Sequence, residues 1–144
     1  MWADTLFALE RGHLVRLALW GSGSVLLGTL LLAWLASRRV HAPLLRHFAI
    51  QTAAWGAVDL AICAWAQRGL ALRDFAGAQR LVNVLWLNTG LDVGYVMLGA
   101  TLALTAWKLG PRPAAVGAGV GIVLQGLVLA LLDIRLIVLI GPLQ

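Results

Sequence analysis

The sequence predicts an all-α fold, a bundle of four transmembrane helices, from three observations. The chain of 144 residues has 61% hydrophobic residues and only 12% charged ones. Its mean hydropathy is +0.89, and four long apolar runs follow one another with short connections. A soluble domain carries about a quarter charged residues, so this chain has too few charges to cover a surface in water. We therefore predict a single integral membrane domain over residues 1–144.

Each apolar run is long enough to cross a bilayer as a helix, which takes about 20 residues. The first is free of charge and lies between Arg16 and Arg38, and the second and third are each interrupted once, by Asp59 and by Asp92. Helices satisfy their own backbone hydrogen bonds in hydrocarbon, which makes strands improbable here. The predicted spans are residues 17–37, 48–67, 81–107 and 113–135.

The longest connection, residues 68–80, places Arg73 and Arg80 seven positions apart on one helical face. This spacing favours a short interfacial helix between spans two and three; the alternative is an extra turn or two of span three. The net charge of +5 comes from basic residues in the connections, where they contact lipid headgroups. Their density favours an orientation with both termini outside the membrane, and we expect no nucleic-acid partner.

Polar side chains inside the spans predict a polar intramembrane seam shared by spans two, three and four. A carboxyl group facing lipid costs about 2.5–3.5 kcal/mol, so we expect these side chains to face protein or water. The rise of about 1.5 Å per residue brings Asp59, Asp92 and Gln125 to a common level near mid-membrane. The predicted seam consists of Gln51, Asp59, Asn88, Asp92, Tyr95, Gln125 and Asp133.

Small residues at helical spacing predict close helix contacts. Gly90 and Gly94 form one such pair on span three, and Gly117 and Gly121 form another on span four. Glycines four apart allow a neighbouring backbone to approach. We also expect any partner of Asp133 to come from another span, because Arg135, two positions away, does not face it on a helix.

Catalytic and metal-site signatures are missing from the sequence, which holds no HExxH, GxSxG or Walker loop and no paired cysteines. We predict that the protein is not an enzyme and binds no metal. His13, His41 and His47 have no second ligand three or four positions on, so we interpret them as solvated residues at headgroup level. Six of the seven tryptophans, Trp20 among them, fit an interfacial belt. The pattern identifies no cofactor, and a pigment, haem or lipid stays open.

Three strings carry a family resemblance: residues 51–59 (QTAAWGAVD), residues 88–95 (NTGLDVGY) and the stretch from Gln125 to Asp133. They resemble a family of small four-helix bacterial membrane proteins of unknown function. The resemblance covers about the last 100 residues and implies that the three polar strings belong together. It implies no activity and no ligand.

Two functional hypotheses follow. The first is a non-enzymatic accessory or scaffold subunit that packs through the polar seam against a larger membrane complex, for example an energy-transducing one, or against copies of itself. Its partners would be the lipid bilayer and other membrane subunits. The alternative is a small proton- or cation-coupled transporter or channel component that uses Asp59 and Asp92, since intramembrane carboxylates form relays and ion sites.

Overall fold

A computed structural model describes residues 2–143 and confirms the all-α, four-helix prediction, with no strand in that part of the chain. Each of the four long helices has the length and apolar composition to cross a membrane. The elements are α1 (Trp2–Ser37), α2 (Pro43–Arg68), α3 (Phe75–Lys108) and α4 (Pro113–Ile140), with a 3-10 turn over Gly141–Leu143.

The helices extend beyond the predicted spans, most of all at the N-terminus. Helix α1 begins at Trp2 because its polar residues Glu10 and His13 are buried against other helices and do not end the span. At the opposite end of the chain, α4 continues to Ile140. Leu6, Leu136 and Ile140 form an apolar cluster with residues of α3, so burial of these side chains stabilises both helix ends.

The predicted interfacial helix between spans two and three is wrong. Residues 69–74 form a turn and an extended segment, and the alternative of extra turns on span three is what the structure has. Helix α3 begins at Phe75 because the Asp74 carboxylate accepts a hydrogen bond from the Gly77 backbone N–H at 2.7 Å. Aspartate is among the best residues for such an N-terminal cap.

Helix α4 is the central element of the bundle. It packs along both α2 and α3, and α1 packs along α2 and against part of α4. Backbones meet closely between α3 and α4, where a Cβ added to Gly99 would lie 2.7 Å from the Gly119 carbonyl oxygen. By contrast, α2 and α3 hardly touch each other. A cleft therefore separates α2 from α3, with α4 and α1 behind it.

Candidate functional site

The cleft between α2 and α3 contains a cavity of about 400 Å³ in the half of the bundle nearer the chain termini. Pockets that hold small molecules have volumes of about 300–1,000 Å³, so this cavity has the size of a ligand site. The polar or titratable residues of its wall are Glu10, His13, Asp59, Asn88, Asp92, Tyr95 and Asp133.

The inner end of the cavity lies at the middle depth of the bundle. Asp59, Asp92 and Gln125 each lie near the midpoint of their helix, as the sequence spacing predicted. Asp133 and Asn88 lie nearer the end that carries the termini. If the helices cross a bilayer, the inner end of the cavity is at the centre of the hydrocarbon.

Asp59 belongs to a hydrogen-bonded chain that connects three helices. The Gln125 amide nitrogen donates to the Asp59 carboxylate, and the Gln125 amide oxygen accepts from the Trp20 indole N–H at 3.1 Å. Asp59 is 1% exposed. An amide supplies a donor and an acceptor at once, which is why glutamine fits between a carboxylate and an indole. Trp20 is half-buried, and its indole N–H lies at the mid-bundle depth of Gln125, which corrects its assignment to the interfacial belt.

Asp133 has its partners on two other helices. His13 Nε2 of α1 lies 3.3 Å from Asp133 Oδ1, and the Asn88 side chain of α3 interacts with the same carboxyl group. His13 is buried, so its interpretation as a solvated headgroup-level residue is wrong. The reason is that α1 is helical through this residue and faces the acid on α4.

The Glu10 carboxylate and Arg73 form an ion pair at the terminal end of the cavity. Arg73 Nε donates to Glu10 Oε2 at 2.8 Å, and Arg73 Nη2 donates to Oε1. This hydrogen bonding raises the pKa of Arg73 above its usual range. Glu10 is buried, and Arg73 comes from the α2–α3 connection. The sequence analysis missed this pair because no spacing pattern connects residues so far apart.

Asp92 differs from the other acids of the wall. It is 5% exposed, and no side chain or backbone group of residues 2–143 forms a hydrogen bond or ion pair with it. Its carboxyl group is close enough to interact electrostatically with those of Asp59 and Asp133. Buried polar groups almost always have a partner, so the Asp92 carboxyl is the group that the fold leaves available to a ligand.

An aromatic pair closes the inner end of the cavity. The rings of Trp55 on α2 and Tyr95 on α3 pack edge to face, with their centroids 5.0 Å apart. Both rings belong to the cavity wall. Beyond them, towards the α1–α2 and α3–α4 turns, α3 and α4 pack backbone to backbone. The cavity is thus confined to one half of the bundle.

Three residues that the sequence singled out lie at the contact between α2 and α4, away from the cavity. Gly117 and Gly121 were predicted as helix-packing residues, and Gln51 as part of the polar seam. A Cβ added to Gly117 would overlap the Leu44 carbonyl, and one added to Gly121 would lie 2.9 Å from the Gln51 Cβ. Gln51 is absent from the cavity wall. These three residues therefore belong to helix packing, and not to the site.

Gly90 and Gly94 require a correction. Both lie on the outer face of α3, and a Cβ added to either would meet nothing within 4 Å in the part of the chain described. Helix α4 packs instead on the α3 face that carries Asp92 and Gly99; a Cβ on Gly126 would lie 2.8 Å from the Asp92 carbonyl oxygen. The close approach predicted for Gly90 and Gly94 is not made within residues 2–143.

The bundle end opposite the termini carries basic residues, in contrast to the acidic wall of the cavity. A groove of about 630 Å³ at the α1–α2 turn is lined by Arg39, His41, Arg46 and His47, with apolar residues of both helices. Basic residues at a helix end meet lipid phosphates, which is the environment expected for His41 and His47. Across residues 2–143, the His, Cys, Asp and Glu side chains form no group of three able to hold a metal ion.

A family model described as a family of unknown function, DUF6992, matches residues 16–134. The chain belongs to this family. The match confirms the predicted resemblance to a family of unknown function. In this DUF6992 chain the matched range contains Asp59, Asp92 and Asp133, whereas Glu10 and His13 precede it. Comparisons with curated proteins and with solved structures gave no match.

Proposed function

We propose that this protein is a non-enzymatic carrier component of the bacterial inner membrane, which binds a cation or a proton at Asp92. The observation that supports this function is the buried Asp92 carboxyl, which faces a cavity and has no partner in residues 2–143. An ionisable group kept at mid-membrane despite its cost is a functional group by default.

The charge of the cavity wall supports a cation as the ligand. Among the described residues, no lysine or arginine lines the cavity. Arg73 balances Glu10, and His13 lies beside Asp133, but the wall still holds the carboxyl groups of Asp59 and Asp92, which have no basic side chain beside them. A concave wall of one sign concentrates ions of the opposite sign and repels the others. The cavity thus favours cations in a chain whose overall charge is +5.

The shape of the cavity supports a carrier and not an open pore. Its wall ends at Trp55 and Tyr95, and the close contact of Gly99 with Gly119 fills the other half of the α3–α4 interface. A carrier holds its ligand at a site open to one side at a time, with the site near mid-membrane. Asp92 lies at that depth.

Vesicles that contain the purified protein test this function. We would load them with a pH-sensitive dye, impose a pH gradient, and add sodium, potassium or alkylammonium chloride outside. The wild type should dissipate the gradient faster than empty vesicles with at least one cation. Asp92→Asn should reduce the rate to that of empty vesicles, because an amide cannot release a proton or neutralise a cation.

Asp4→Asn is the matched control, because it makes the same chemical change at an exposed acid outside the cavity wall. It should keep the wild-type rate. If Asp92→Asn kept that rate too, or if the wild type never exceeded empty vesicles, the carrier function would be wrong.

The second candidate is the subunit of a larger membrane complex, which the outer face of α3 favours. Gly90, Gly94, Thr101 and Thr105 lie on that face and are exposed. Glycine and threonine at such spacing are typical of contacts between membrane helices. We propose that a helix of a partner subunit packs there.

Native gel electrophoresis of gently solubilised membranes tests the subunit role. Gly94→Leu should release the chain from a larger assembly, because the leucine would block close approach of a helix. Gly23→Leu on α1 is the matched control, since a Cβ at Gly23 also meets nothing within 4 Å. Migration of the wild type as a lone chain, or equal behaviour of both variants, would contradict this candidate.

A further inference from the structure

We infer that the ligand is an amphipathic primary amine, in its ammonium form, which enters the cavity sideways from the hydrocarbon between α2 and α3. The inference rests on the proposed cation-binding function and narrows its ligand. Three features of the cavity support the inference: its mouth, its polar groups and its volume.

The mouth is identified by residues that line the cavity and are also accessible from outside the bundle. Val58 and Ile62 of α2 are 44% and 52% exposed, and Val84 and Leu91 of α3 are 52% and 53% exposed. All four belong to the cavity wall. Since α2 and α3 hardly touch, the cavity opens between these two pairs of side chains.

The mouth is lined mainly by these apolar side chains, with Asn88 as an exposed polar residue beside them, and it faces the side of the bundle, not its end. Because Val58 and Leu91 lie near the midpoints of their helices, the opening lies at the depth of lipid acyl chains. A hydrated inorganic ion would have to shed its water to pass these side chains, which is costly. A molecule with a hydrocarbon body already resides at this depth, and its body can pack against the mouth.

The interior suits an ammonium head group. Asn88, Asp92 and Tyr95 recur on one face of α3 and all belong to the cavity wall. They offer an amide oxygen, a carboxylate and a hydroxyl oxygen, and a primary ammonium has three N–H donors. The Trp55 and Tyr95 rings at the inner end add faces that attract a cation.

The volume of the cavity favours an amphipathic amine over other candidate ligands. A cavity of about 400 Å³ is far larger than a bare ion needs. A helix, which is about 10 Å across, cannot reach its inner end, because Trp55 and Tyr95 contact each other across the cleft there, with centroids 5.0 Å apart. The acidic wall repels the phosphate of an anionic lipid. An alkylammonium ion fits both the volume and the charge of the cavity.

Equilibrium dialysis of phosphatidylcholine nanodiscs that contain the protein tests the inference, with radiolabelled decylamine as the probe and empty nanodiscs as the blank. The wild type should retain decylamine above the blank. Decanol, which lacks the charge, and tetramethylammonium, which lacks the chain and the N–H donors, should compete at least about tenfold more weakly, the effect of one lost charge-assisted hydrogen bond. Asp92→Asn should weaken retention by at least about tenfold for the same reason.

The mouth is tested by a matched pair of substitutions on α3. Val84→Trp places a large ring in the opening and should slow and weaken decylamine retention. Leu87→Trp makes a similar change on the same helix at a residue that is exposed but not part of the cavity wall. It should bind decylamine as the wild type does. Circular dichroism and the protection of Cys63 from maleimide show whether each variant is folded.

Three outcomes would overturn the inference. Equal competition by decanol and by unlabelled decylamine would mean that the cavity binds apolar chains without regard to charge. If tetramethylammonium competed as well as decylamine and Val84→Trp had no effect, while Asp92→Asn still abolished binding and flux, a small cation from water would be the ligand and the carrier function would stand. If Asp92→Asn changed neither binding nor flux, the inference and the carrier function would both fall.

Discussion

The side-chain amide of Gln125 donates a hydrogen bond to the Asp59 carboxylate across the α2–α4 contact, near the midpoint of both helices. The same amide accepts from the Trp20 indole N–H at 3.1 Å. Gln125 therefore satisfies buried groups of two other helices. Asp59 is occupied by this contact, whereas Asp92 is not, so two acids at one depth have different roles.

Replacement of Gln125 should destabilise the bundle without changing its charge. Gln125→Leu leaves the Asp59 carboxylate and the Trp20 N–H without partners, and interhelical hydrogen bonds in membranes contribute about 1–2 kcal/mol. The free energy of unfolding in mixed micelles should fall by about that amount. Gln79→Leu, at an exposed residue of α3, is the control and should change it little. Equal stability of the two variants would show that the Gln125 hydrogen bonds do not stabilise the bundle.

Alanine at two glycines of α3 should have opposite effects. A Cβ at Gly99 would lie 2.7 Å from the Gly119 carbonyl oxygen, so Gly99→Ala should cost about 1–3 kcal/mol through overpacking. Gly90→Ala should be neutral or stabilise by up to about 0.5–1 kcal/mol, because its Cβ meets nothing within 4 Å and alanine favours the helix. Thermal unfolding of the purified variants checks both. A loss of stability in Gly90→Ala would mean that its face is packed against another molecule.

Loss of the Arg73 side chain should loosen the α2–α3 connection. Arg73→Ala leaves the buried Glu10 carboxylate without its ion-pair partner. Hydrogen bonds to charged groups contribute about 1.5–3 kcal/mol to the free energy of unfolding. Arg80→Ala, at an exposed arginine six positions after the Asp74 cap, should cost far less. A double-mutant cycle with Glu10→Gln measures the coupling directly. A coupling of zero would mean that the two side chains do not interact in the folded protein.

Cys63 should report on the packing of α1 against α2. It is 3% exposed, and its thiol donates to the Leu14 carbonyl oxygen at 3.3 Å. We expect maleimide to label the folded protein slowly and the protein unfolded in hot dodecyl sulfate at once. Rapid labelling before unfolding would contradict the α1–α2 contact.

The sequence predicted the fold class and the shared depth of Asp59, Asp92 and Gln125, because apolar runs and helical rise follow directly from residue order. It did not predict that α1 begins at Trp2, since Glu10 and His13 are charged or titratable and their partners lie on other elements. Trp20 was wrongly assigned to the interfacial belt, because its hydrogen-bond partner Gln125 also lies on another helix. A tryptophan near a predicted span end fits the interface, and only the position of Gln125 shows otherwise.

The sequence also could not show which glycines of α3 contact α4. Gly90 and Gly94 have the spacing of a close contact, but the face of α3 that meets α4 is fixed by how Gly99, Gly119 and Gly126 fit together in three dimensions. Likewise, no local pattern shows that α2 and α3 stay apart. The cavity follows from helix order around α4, which depends on the whole set of contacts.

The Glu10–Arg73 pair and the His13–Asp133 contact have a practical consequence for anyone who shortens this chain. A version trimmed to begin at residue 16 would keep every residue that the family match covers, and an alignment would judge it intact. It would nevertheless strip Arg73 and Asp133 of their α1 counterparts. Helix α1 would lose about its first four turns and with them Glu10, His13 and Leu14 of the cavity wall. A negative result from such a fragment would say nothing about the full chain.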